Sequence, residues 1–141
     1  MSLLSRKGLL AIAAVVDVAL IAHERPLSAR ALAARHNLPP RHLEPVLQAL
    51  VHEGILRGIR GPRGGYELAR DRRRISLEDI LRAAGSVDEP SQDAMPASQI
   101  LSDIVMPAVL EAEQAFSASL AQITVEDLTH RAGGRGERGR A

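Results

Sequence analysis

The chain has 141 residues, 45% of them hydrophobic and 25% charged, enough to bury the core of one domain with an accessory element. It has no cysteine, which excludes disulfides, thiolate zinc sites, iron–sulfur clusters held by thiolates and cysteine nucleophiles together, and its two aromatic residues, Tyr66 and Phe116, make no stacking platform for single-stranded nucleic acid. The net charge of +1 hides a segregation: residues 1–75 carry 13 basic and 6 acidic side chains, residues 76–130 carry 1 and 10, and residues 131–141 carry 4 and 1, so a cationic surface for a polyanion is expected in the first segment.

Leu9 to Ala22 is an apolar run behind Arg6 and Lys7. It is too short for a membrane span and has Asp17 at its centre, so it reads as a buried amphipathic helix, capped by Ser5 and stopped by Glu24-Arg25-Pro26, and not as an export signal. Ser28 caps a short helix from Ala29 to about His36, with Ala31, Leu32 and Ala34 inward and Asn37 at its turn. Pro39-Pro40 opens the next helix, in which Leu43, Val46, Leu47 and Leu50 repeat at helical spacing until Gly54; Pro45 should bend its first turns.

Ile55 to Ile59 and Tyr66 to Leu68 read as two short strands around the basic tip Arg60-Gly61-Pro62-Arg63-Gly64-Gly65. Ser76 with Asp79 is a capping box for a helix ending at Gly85, and residues 86–98 have the composition of a linker. A long helix over 99–122 follows, bent at Pro107 and bearing an apolar stripe of Ile100, Leu101, Ile104, Val105, Ala108, Val109, Ala112, Phe116 and Leu120. Thr124 with Asp127 opens a closing turn, and the Gly/Arg-rich tail 131–141 is expected to be disordered.

This order of elements predicts a mainly α fold with a small β-hairpin: a winged helix-turn-helix domain over 1–85, the linker, and a long helix with its closing turn over 99–130. In that arrangement the helix opening at Pro40 enters the major groove, where Arg41 can bond guanine and Glu44 can accept from a cytosine amine, with His42 beside them. Gly61, Gly64 and Gly65 let the backbone of the tip approach phosphates, while Arg60 and Arg63 bring guanidinium groups suited to a narrow minor groove.

Several stretches together resemble the IscR/NsrR-type bacterial winged-helix transcription regulators. These are Leu4-Ser5-Arg6-Lys7-Gly8, His42 to Leu50 with Gly54-Ile55-Leu56, Arg60 to Ala69, Ile75 to Ile80, and Ile123 to Leu128, covering about residues 2–128. The resemblance implies a cytoplasmic homodimer on a palindromic double-stranded operator, expected to act as a repressor, with the apolar stripe buried by dimerisation. It puts Pro39, Pro40, Arg41, His42 and Glu44 at the base-reading end, Arg60 to Tyr66 in the wing, and Ser28 at a phosphate. Many members hold an iron–sulfur cluster through cysteines in the loop that corresponds to 86–98, and some add an acidic ligand from the first helix. With no cysteine in that loop and Gly8 in that helix, no cofactor is expected.

The remaining signals favour structural roles. His23, His36, His42, His52 and His130 form no metal-ligand spacing, Asp88, Glu89 and Asp93 read as a solvated loop, and Met95 and Met106 as packing residues. No nucleophile motif is present, so no enzyme is expected. The alternatives are a winged-helix interaction module for an acidic protein, and a KH-type RNA module suggested only by Gly61-Pro62-Arg63-Gly64, whose flanking β-type residues argue against it. No effector, operator or regulated gene is legible.

Overall fold

A computed structural model describes residues 5–21, 25–85 and 98–140, the side chains of 134–140 excepted. The linker expected over 86–98, apart from Ser98, and His23 lie outside the described residues. The elements are α1 (Arg6–Ile21), α2 (Ala29–Arg35), α3 (Pro40–His52), β1 (Leu56–Ile59), β2 (Gly65–Leu68), a 3₁₀ turn (Arg72–Arg74), α4 (Leu77–Gly85), a π-helical turn (Leu101–Val105), α5 (Met106–Ala121) and α6 (Val125–Arg140). No helix among the described residues is long and apolar enough to cross a membrane.

The core is aliphatic, as the scarcity of aromatics requires. Val15 and Val18 of α1, Leu32 of α2, Leu43, Leu47 and Leu50 of α3, Ile75, and Ile80 of α4 are fully buried together. In α2 the buried pair is Leu32 and Ala33, while the expected Ala34 is exposed, because four alanines in a seven-residue helix offer no contrast from which to read a face.

Helix ends follow local chemistry. Ser28 Oγ accepts from the Ala31 N–H at 3.1 Å. At the other end of α2, Asn37 has φ 54, with the Leu38 N–H bonded to Ala33 O at 3.0 Å and the Asn37 N–H to Ala34 O at 3.3 Å, a Schellman closure that turns the chain into α3. The same closure recurs at Gly54, φ 75, between α3 and β1, with Ile55 N–H on Leu50 O at 2.9 Å. Pro45 leaves α3 unbroken.

Both capping boxes form. Ser76 Oγ accepts from the Asp79 N–H at 3.1 Å and Asp79 accepts from the Ser76 N–H at 3.1 Å; Thr124 and Asp127 repeat the exchange at 3.2 and 2.9 Å. The backbone hydrogen bond from Thr124 holds the Asp127 carboxyl below the usual carboxylate range. The boxes are also joined, since the Leu77 N–H bonds Ile123 O at 2.9 Å and the Val125 N–H bonds Ile75 O at 2.8 Å across a Ser76–Thr124 bridge.

Two expectations are corrected. The bend before Pro107 is a π-helical turn, in which the Met106 N–H reaches back to Leu101 O next to a proline that has no N–H to give. The tail expected to be disordered from 131 instead continues α6 to Arg140: the Thr124 cap starts the helix, no proline stops it, and arginines late in it suit the helix dipole.

Asp17 is the buried charge of α1, with its side chain 11% exposed. It lies 2.7 Å from Nε2 of His36, which donates to it, and 3.2 Å from Nη2 of Arg35, so one carboxylate ties α1 to the residues that close α2. Asp17→Ala is expected to destabilise the fold by about 1–3 kcal/mol, discounted because Arg35 is half exposed. Asp17→Asn should recover part of that loss in thermal unfolding.

Candidate nucleic-acid interface

The helix pair and hairpin set the geometry. α3 begins at Pro40, whose fixed φ suits the first helical position, with Pro39 in extended conformation (φ −64, ψ 140) as its cap. Leu43, Val46 and Leu47 anchor α3 in the core, which leaves Arg41, His42 and Glu44 exposed on the outer face of its first turns.

The hairpin pairs Leu56 with Leu68, Arg57 with Glu67, Gly58 with Tyr66 and Ile59 with Gly65. Arg57 Nε donates to Glu67 Oε1 at 2.6 Å across it. At the tip, the Gly64 N–H bonds Gly61 O at 2.9 Å, and a Cβ on Gly64 would stand 2.1 Å from the Ile59 carbonyl oxygen. Arg60, Gly61, Pro62 and Arg63 are exposed. Tyr66 instead packs against the core and is part of the hairpin's footing.

That footing was not visible in the sequence. Leu27, between α1 and α2, bridges Tyr66, its N–H donating to Tyr66 O at 3.0 Å and its carbonyl accepting from the Tyr66 N–H at 2.8 Å. The hairpin is thereby fastened to the segment that ends in Ser28, the cap of α2. A pairing 39 residues apart with one residue on its outer side leaves no run of strand-formers to detect.

Some of the described arginines are held by carboxylates. Arg35, Arg57, Arg70, Arg73 and Arg82 each meet a carboxylate, at 3.2, 2.6, 3.9, 3.0 and 2.5 Å, and Arg72 meets Glu126. The side-chain hydrogen bond from Arg73 lowers Asp71 to a pKa of about 2. Among the described residues, Arg41, Arg60 and Arg63 have no carboxylate partner. Arg30, exposed in the first turn of α2, joins them; nothing in the sequence set it apart from Arg35 on the same short helix.

The π-helical turn and α5 form a second, apolar surface. Ile100, Ile104, Val105, Val109 and Leu110 are 69, 65, 41, 44 and 48% exposed. Ala108 and Ala112 are also exposed and Leu101 and Phe116 half-buried, whereas Leu120 packs against the chain's own core.

A helix pair closed by Asn37, an outward α3 and a hairpin with a basic tip define a winged helix-turn-helix DNA-binding module. The Rrf2 family, described as an iron-dependent transcriptional regulator, matches residues 4–131, and the chain belongs to it. A protein named as an HTH-type transcriptional regulator in a Synechocystis species is 36% identical over 126 residues, covering 89% of this chain and 86% of that one. The transcriptional regulator IscR of Xenorhabdus nematophila is 36% identical over 86 residues, 61% of this chain and 51% of its own length. The solved structure of IscR from T. potens superposes with a TM-score of 0.72 at 27% identity, covering 92% of this chain and 87% of that one. The chain is therefore a DNA-binding transcriptional regulator and not an enzyme.

Among the described residues, the iron in the family's description finds no fitting donors. The chain has no cysteine, and among the described residues no three His, Asp or Glu side chains converge. His36 is engaged by Asp17 and His130 by Glu126. Gly8 is buried, and a Cβ there would lie 2.7 Å from Leu81 Cδ2, so position 8 has no room for an acidic ligand unless Leu81 moves.

Proposed function

We propose that this regulator acts in the cytoplasm as a homodimer on a palindromic operator in double-stranded DNA, represses by occupying it, and does so without an iron–sulfur cluster. The observation that carries the reading is that the first turn of α3 and the hairpin tip present Arg41, Arg60 and Arg63 exposed and, among the described residues, without a carboxylate partner. An uncompensated guanidinium is free to displace counterions from phosphates, the main source of affinity for DNA. The exposed stripe along the π-helical turn and α5 supports dimerisation, because a second copy can bury the same stripe isologously.

In this reading Arg41, His42 and Glu44 face base edges, with Pro39 and Pro40 setting the entry of α3. Arg60, Gly61, Pro62, Arg63, Gly64 and Gly65 follow the backbone into the minor groove, and Ser28 with Arg30 meets a phosphate.

Selection of fragments of the source organism's genomic DNA at physiological salt tests it. Enrichment of a palindrome with half-sites one or two helical turns apart is the expected result. Sequence-blind binding would overturn it, and weak salt dependence would point to an acidic protein partner.

Two variants separate the roles. Arg63→Ala is expected to weaken binding to all sequences and to flatten the salt slope by about one unit, read from titrations at several salt concentrations. Glu44→Ala should relax preference at one base pair, by about 1–3 kcal/mol, in a competition with single-substituted operators.

A further inference from the structure

Between the first half of α1 and the helix-turn-helix lies a cleft of about 750 Å³. Its walls are apolar: Leu9, Leu10 and Ala13 from α1, Leu38 from the turn, and Pro45 from α3. Arg6, Lys7, Arg41 and His42 stand around it, and among the described residues no carboxylate lines it. Its volume lies within the range of sites that enclose small organic ligands, which are mostly apolar with a few polar groups that fix orientation.

The arginines at this rim differ from those of another cleft. A second cleft of about 430 Å³ is lined by Arg70, Arg72 and Arg73, but each of those is held by a carboxylate, Asp79, Glu126 and Asp71. Among the described residues Arg6 and Arg41 have none. His36, on the cleft wall, is oriented by Asp17 at 2.7 Å. The lining residues of α1 run from Arg6 to Ala13, about 10 Å along the axis, whereas the exposed stripe from Ile100 to Leu110 is about 15 Å long. The cleft is thus matched to a compact occupant better than to the helix of a second copy.

We propose that this cleft is an effector site for a small molecule with an apolar body and one carboxylate. The body lies against Leu9, Leu10, Leu38 and Pro45, and the carboxylate meets Arg6 and Arg41. Resting on the DNA-binding role proposed for Arg41 and His42, the inference adds a regulatory consequence: an anion at Arg41 takes the guanidinium from the operator and places negative charge beside its phosphates, so ligand and DNA exclude each other.

The test uses decanoate as the probe and the full chain without DNA, followed by calorimetry. Saturable binding of one decanoate per chain is expected, with no comparable binding of decylammonium. Ala13→Phe, which fills the cleft, should weaken it about tenfold or more. Leu9→Glu lies at a position already 47% exposed, so it spares the fold, and should weaken decanoate about tenfold by like charge.

A second arm titrates the selected operator with and without decanoate. Release of DNA from the wild type and its retention by Leu9→Glu are expected. Absence of saturable decanoate binding, or binding that both variants leave intact, would overturn the site. So would dissociation of a dimer by decanoate or by Leu9→Glu, since the cleft would then belong to the contact between copies. Decanoate binding by a chain that selects no operator would support the site while sinking the DNA reading; operator binding unchanged by bound decanoate would overturn the regulatory coupling.

Discussion

With Ile104 and Val109 both replaced by aspartate, the chain is expected to stay folded, to sediment as a monomer, and to lose roughly 10²–10⁴-fold of its affinity for a palindromic operator. The first expectation rests on exposure: these side chains are 65 and 44% accessible and are absent from the core, and substitutions at such positions usually change stability by about 0.5 kcal/mol or less. The second rests on area. Burial of a large aliphatic side chain contributes about 1.5–3 kcal/mol, and both copies of an isologous contact would lose it while gaining carboxylates that repel across the axis. Asp103, Glu111 and Glu113 already make this helix acidic, so two further carboxylates per copy act in the same direction.

The loss of DNA affinity follows from linkage between half-sites. Once one copy is bound, the second engages its half-site at an effective concentration in the millimolar range, and a monomer forfeits that gain without losing a single DNA contact. Sedimentation and titrations on a palindrome and on an isolated half-site check the argument together. The variant should match the wild type on the half-site and fall behind only on the palindrome. A variant that remains dimeric, or a wild type that is monomeric, would remove the homodimer from the proposed function.

What was legible in the sequence is what is decided within a few residues. Ser28, Asn37, Pro40, Gly54, Ser76 with Asp79, and Thr124 with Asp127 all act where local chemistry places them, because caps and turns satisfy backbone groups three to five positions away. The hairpin with its glycine tip is local in the same way. Contacts that join distant segments were not legible. Asp17 read only as a charge that spoils a membrane span, while its partner His36 lies 19 residues on. The candidate readers could be chosen by residue type and position, but the feature that distinguishes Arg41 and Arg63 from Arg57 and Arg73 is the absence of a neighbouring carboxylate. That is a property of the packed chain. The π-helical turn before Pro107 likewise arises from how a helix absorbs a missing donor, for which a sequence offers both a bend and a bulge.

Gly65→Ala is expected to cost the wing its footing and, with it, about ten- to a hundredfold in operator affinity, roughly 1.4–2.7 kcal/mol. A Cβ at this position would stand 2.5 Å from the carbonyl carbon of Leu27, 2.6 Å from its oxygen and 2.7 Å from the Ser28 nitrogen. All three are backbone atoms, so no side chain can rotate away, and either the hairpin or the segment before α2 must shift. The shift breaks the pair of hydrogen bonds between Leu27 and Tyr66, each with a net contribution of about 0.5–1.5 kcal/mol. Tyr66 loses its place against the core in the same movement.

The two ends of the proposed interface are joined at this point, since Leu27 precedes the cap of α2 and Tyr66 follows the basic tip. Releasing it leaves Arg60 and Arg63 present but no longer held relative to α3, so ordering them on DNA must be done at the moment of binding. Titrations should show weaker binding with a salt slope close to that of the wild type, because no phosphate contact has been deleted, while hydrogen exchange quickens at Leu27 and Tyr66. That combination distinguishes Gly65→Ala from Arg63→Ala. Unchanged affinity with quickened exchange would mean that the hairpin tip does not engage the operator.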